Sequence, residues 1–129
     1  MKSNRFEDFE VWKEARKITN KIFDITDGIS SGKDFGFCRQ IRDASVSIMS
    51  NIGEGHERDG DKELMQFLSY AKGSAGEVRS QLYIALDRGY INNDKFKEIY
   101  DMLIYESRML KAFIKYLADE GNKKKKYMK

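Results

Sequence analysis

The chemistry open to this chain is narrow, because its one histidine, His56, and its one cysteine, Cys38, stand against 24 basic side chains. A metal centre needs several His, Cys or carboxylate ligands at compatible spacing. Glu54 and His56 are two residues apart and fall on different helix faces, and the Glu-x-x-His spacing of helical di-iron sites does not occur. Cys38 has only Arg39 beside it as a cation and reads as a packing residue. His56, in an expected polar loop, reads as a surface residue. No glycine-rich loop follows a strand, so a phosphate cradle is absent. Ser45, Ser47, Ser50 and Ser74 lie in helical segments and read as small packing groups. These residues predict no catalytic constellation, no cofactor and no metal, hence a protein that is not an enzyme.

The basic residues are the chemistry that remains. Arg39 and Arg42 are three apart on one helix, and Lys72 and Arg79 are seven apart on the next. If those helices are neighbours, the four charges could form a patch that meets phosphates in a salt-sensitive, sequence-independent way. The competing reading is internal pairing of Arg39 and Arg42 with Asp43, Glu77 or Glu106. The net charge of +3 sits in the C-terminal run of Lys123, Lys124, Lys125, Lys126 and Lys129; without those five, 19 basic residues face 21 acidic ones. The run is a second candidate for nucleic-acid contact, strong in charge and low in specificity.

The elements that must position these groups are helices. Proline is absent and no β-branched run alternates with polar residues, so the fold class is all-α. The first amphipathic segment spans about Glu7–Thr26, with Phe9, Trp12, Ala15, Ile18, Ile22 and Ile25 on one stripe, and is broken by Asp27–Gly28 and Ser30–Gly32. The second spans about Asp34–Glu54 and is stopped by Gly53 and Gly55. The third spans about Lys62–Arg88, with Asp61 as its cap and Gly89 as its stop. The fourth is capped by Asn92 or Asn93 and ended by Gly121, with Phe96, Ile99, Leu103, Leu110, Phe113 and Leu117 inward. Short loops make neighbours antiparallel, which gives an up-down-up-down four-helix bundle over 1–121 and a disordered basic tail over 122–129. A lone cysteine, no secretory-type apolar start and no membrane-length apolar run give a cytoplasmic expectation.

Two small-residue stretches stand out. Gln40–Gly55 interleaves Ala44, Ser45, Ser47, Ser50 and Gly53 among its isoleucines, and Gly73–Gly76 reads GSAG. Each mid-helix glycine costs about 1 kcal/mol relative to alanine, so these faces are expected to meet in a close helix–helix contact that compensates. Glu106 breaks the fourth stripe between Leu103 and Leu110. Either helix rotation carries it to the rim, or it is a buried carboxylate paired with Arg42 or Arg79. Aromatic side chains outside the inner stripes (Phe6, Phe23, Tyr70, Tyr83, Tyr100, Tyr105 and Tyr116) point to a second buried face, hence self-association. For Tyr83, as for Tyr90, packing is a better reading than base stacking.

QIRDASVSIMSNIGEG resembles the signature Q-I-R-x-A-x-x-S-I-x-x-N-I-x-E-G of the proteins encoded in intervening sequences of bacterial 23S rRNA genes. YAKGSAGEVRSQLYIALDRGYI and the Phe9–Trp12 segment resemble two further stretches of that family, and the likeness reaches about Leu117. It implies an antiparallel four-helix bundle assembling as a ring-like homopentamer. A relative, the accessory protein of diversity-generating retroelements, binds nucleic acid and partners a reverse transcriptase. The resemblance therefore implies RNA, or DNA, as a partner of Arg39, Arg42, Lys72 and Arg79. It also leaves open a scaffold role towards a nucleic-acid-processing protein. Asn51, Glu54, Gly73 and Ser74 match the motifs and read as structural, with Asn51 satisfying backbone groups and Glu54 pairing with an arginine.

Overall fold

A computed structural model describes residues 5–29 and 34–127. A 3-10 turn, Phe6–Asp8, leads into α1 (Glu10–Ile29), α2 (Phe35–Glu57), α3 (Asp61–Asp87) and α4 (Asn93–Tyr127). Each helix contacts its neighbours in the order α1–α2–α3–α4 and back to α1, which is the four-helix bundle of the expectation. The α2–α3 contact is the most extensive of the four and the α1–α4 contact the thinnest. The core is the inner stripe of each helix: Ile18 and Ile22, Ile41, Ile48 and Ile52, Leu68, Val78 and Leu82, and Ile99, Leu103 and Leu110 are fully buried.

Helix boundaries depart from glycine punctuation in three places. The first helix continues through Asp27–Gly28 to Ile29. Its last turn is tied to α2: Thr26 Oγ1 donates to the Ile22 carbonyl at 2.7 Å and accepts from Arg42 Nε at 2.6 Å, while Arg42 Nη2 reaches Asp27 at 2.6 Å. Ser30–Gly32, expected as the turn, lie outside the described residues. The second helix runs through Gly53 and Gly55 to Glu57. Its reversal is made by Asp59 at φ 66°, a left-handed position that Asp tolerates. Gly60, in extended backbone, then caps α3, so Asp61 is the first helical residue and not the cap. In the fourth helix Gly121 does not act as a stop, and the helix carries Lys123–Lys126 on to Tyr127. The expected tail is thus helical over its described part, with Met128 and Lys129 outside it.

Two expected ends are found as read. Gly89, at φ 74°, closes α3 with Gly89 N–H donating to Leu86 O at 3.0 Å and Tyr90 N–H to Ala85 O at 2.8 Å. This is the paired C-terminal bonding that a left-handed glycine permits. Asn92 caps α4, its Oδ1 accepting from Lys95 N–H at 2.8 Å.

The α2–α3 contact is close, but not where the glycine run suggested. A Cβ at Gly55 would lie 2.7 Å from Phe67 Cβ, so this glycine permits the approach of α3. Ala44 of α2 and Ala75 of α3 are both buried. At Gly73 and Gly76, by contrast, a methyl group would have nothing within 4 Å. The small residue shown to set the contact is therefore Gly55.

Candidate nucleic-acid interface

The four helix-borne cations do not gather into one patch. Arg42 turns to α1, where Asp27 and Thr26 hold its guanidinium and the Phe23 ring lies 4.7 Å beneath it. Arg79 turns the other way, to α4, donating from Nη1 to Ser107 Oγ at 3.1 Å. The seams they serve lie on opposite sides of the α2–α3 pair, so the expected juxtaposition is corrected. Neither arginine pairs with Asp43, Glu77 or Glu106; the internal partners are Asp27 and Ser107. Arg39 and Lys72 are exposed. Arg39 lies beside Phe23, Phe35, Asp43 and Val46 in a shallow groove along α1 and α2.

The lysine run is presented differently from a flexible tail. Leu117 is the last buried residue of α4, so the turns bearing Lys123–Lys126 extend beyond the core. Lys123 Nζ approaches Glu120 Oε1 at 3.5 Å, and all four lysines are exposed. A helix C-terminus carries partial negative charge, which favours cations there.

Two of the motif residues make local bonds. Asn51 Nδ2 donates to the Ser47 carbonyl at 2.8 Å, and Glu54 pairs at 2.8 Å with Arg58, which caps the end of α2. Ser74 is half-buried and Gly73 exposed. Cys38 is buried, its Sγ 3.8 Å from the Thr26 carbonyl, and burial pushes its thiol pKa up. His56 is not in a loop. It sits in the last turn of α2, edge-on to Phe6 and Phe9, with Nδ1 2.9 Å from Glu57 Oε2. Tyr83 packs on Phe96 and Tyr100, and Tyr90 packs on Phe37.

Glu106 fits neither expectation. It is fully buried and not at the rim, and neither carboxylate oxygen has a hydrogen-bond partner among the described residues. Removal from water, with a smaller contribution from Glu14, pushes its pKa to about 9. Helical periodicity alone placed this carboxyl on the inward stripe; only the packing shows that no cation follows it inside.

A groove of about 740 Å³ along the α1–α4 seam was not legible in the sequence. It is lined by Trp12, Arg16, Lys17 and Tyr105, with the Arg16 guanidinium 5.8 Å over the Trp12 ring. The only sequence signal was the four-residue spacing of Trp12 and Arg16. Glu7, Glu10 and Glu14 line the same groove, so its charge is mixed and suits phosphate poorly. Among the described residues no group of three or more His, Cys, Asp or Glu could hold a metal ion, and no helix is long and apolar enough to cross a membrane.

No curated protein matches the chain. Its fold is similar to a crystal structure of a Bacteroides thetaiotaomicron protein of unknown function from the S23 ribosomal protein family. That likeness has a TM-score of 0.75 at 21% identity and covers 81% of this chain and 98% of the other. The family model of the 23S rRNA-intervening sequence protein matches residues 7–112, which include α2, α3 and most of the buried part of α4. The chain accordingly belongs to the 23S rRNA-intervening sequence protein family.

Proposed function

We propose that this protein is a noncatalytic bundle that self-associates and binds nucleic acid, RNA by preference, through exposed cations. The observation that carries the reading is the placement of uncovered apolar groups on two opposite sides of the bundle. On the α1–α2 side, Phe23, Phe35 and Val46 are 37%, 69% and 39% exposed. On the α3–α4 side, Tyr83 is 47% exposed above Phe96 and Tyr100. Different patches on opposite sides favour head-to-tail association, which closes into a ring when the rotation permits. Five copies is the number the family resemblance implies.

Repetition around a ring turns a few weak phosphate contacts into useful affinity. With Arg42 and Arg79 engaged in the fold, the contacts fall to Arg39, Lys72 and the helical Lys123–Lys126. The test is solution mass with and without RNA, run on the parent chain and on a variant with those six cations changed to Gln. The parent should be a multimer that shifts with RNA. The variant should keep its mass and bind with a flatter salt dependence, each lost phosphate contact lowering the log–log slope by about 0.7 on single strands. A monomeric parent, or undiminished binding by the variant, refutes the reading. An alternative reading, a scaffold for a nucleic-acid-processing enzyme, draws on the same exposed aromatics. It would show as a stoichiometric protein partner after nuclease treatment.

A further inference from the structure

Glu106 sits on α4 between Leu103 and Leu110, and all three are fully buried. Both carboxyl oxygens are without a hydrogen-bond partner among the described residues. The helix that α4 meets most thinly is α1, and there the facing titratable group is Glu14, half-buried at the wall of the seam groove. From α3, the charged residue turned towards α4 at this level is Arg79, whose Nη1 is spent on Ser107. From α2, the inward residues Ala44, Ser45, Ile48 and Ile52 offer no titratable group. Among the described residues the surroundings thus contain a like charge and no free counter-charge.

We propose that Glu106 is a proton-linked latch on the α1–α4 seam: α4 closes against α1 with this carboxyl neutral, so closing takes up one proton. An ionised carboxyl in this position would be a buried charge with no partner, which is strongly disfavoured. Where the seam opens, water reaches the carboxyl and its ordinary acidity returns. The closed state keeps its proton up to about pH 9, whereas the ordinary value is 4.5. Between those values the open state binds fewer protons than the closed one. The closing equilibrium therefore weakens about tenfold for each unit of rising pH, and acidification tightens the seam. Below the ordinary carboxyl range both states are protonated and the dependence vanishes.

The seam is the natural place for such opening, because local openings follow low contact density. Hydrogen–deuterium exchange read helix by helix tests the latch. The full chain is compared with Glu106→Gln, an uncharged amide of similar shape, between about pH 5.5 and 8.5. Intrinsic exchange cancels in the ratio of the two proteins. For amides of α1 and α4 that exchange by openings short of global unfolding, that ratio should rise about tenfold per pH unit, while amides at the α2–α3 contact that exchange by such openings change much less. Should Glu106→Gln fail to fold, Glu106→Leu takes its place, since it too removes the titration. A ratio independent of pH overturns the proposal. So does a rise confined to amides that exchange only by global unfolding, because that describes an acid released with the whole fold and not a seam latch.

Discussion

Gly55→Ala should destabilise the protein although alanine is the better helix former. A methyl at Gly55 would meet Phe67 Cβ at 2.7 Å and Leu64 Cδ1 at 3.2 Å. Carbon pairs pack best at about 3.5–4.0 Å, so the neighbour must retreat by roughly 1 Å. Leu64 Cδ1 can rotate aside. Phe67 Cβ cannot, being one bond from the backbone, so α3 itself must move. Overpacking of this kind costs about 1–3 kcal/mol, and the rigid neighbour argues for the upper end. The helix-propensity gain offsets about 1 kcal/mol, leaving a net loss of about 2 kcal/mol. Gly73→Ala and Gly76→Ala provide the contrast, since each has open space around the new methyl. Each should gain about 1 kcal/mol. Urea unfolding followed by circular dichroism at fixed protein concentration measures all three. A Gly55→Ala protein as stable as the parent would refute the argument that this glycine sets the α2–α3 distance.

Head-to-tail association predicts an asymmetric mixing result. Phe35→Asp and Tyr83→Asp should each give monomers, and mixing the two should give a 1:1 dimer and nothing larger, read by solution mass, because only one intact pair of faces remains. The buried acid predicts a stability slope. The unfolded chain releases the Glu106 proton near 4.5 and the folded chain near 9, so unfolding free energy falls by about 1.4 kcal/mol per pH unit between roughly pH 5 and 8. Glu106→Leu should abolish that part of the slope and raise stability at pH 8, measured by denaturant titration across pH. Arg42→Gln should lower stability by about 1–2 kcal/mol, through loss of the Thr26 and Asp27 bonds, and leave RNA affinity unchanged. A drop in affinity without a drop in stability would return Arg42 to the nucleic-acid surface.

The two signatures of α2 and α3 were legible in the sequence. Asn51 and Glu54 satisfy groups within α2 and at its C-cap, at offsets of four residues that helical periodicity already implies. Helix ends were legible where a local signal acts alone, as at Asn92 and Gly89, because capping is decided within one turn. In α1 and α2 they were misread because tertiary contacts outweigh a glycine. Gly28 lies in a turn that Arg42 ties to α2, Gly55 is buried against Phe67, and the true reversal fell to Asp59.

Most of each interior stripe, the count of four helices and the all-α class follow from the sequence by itself, since a 3.6-residue apolar period has one stable arrangement per helix. The partners of charged side chains do not, because a period assigns a residue to a face and leaves the neighbouring helix unspecified. Only the packing sends Arg42 to α1 and Arg79 to α4, on opposite sides of the bundle. Only the packing leaves Glu106 enclosed without a hydrogen-bond partner among the described residues. Burial and pairing are sums over groups distant in the chain, and those sums exist only once the four helices have closed.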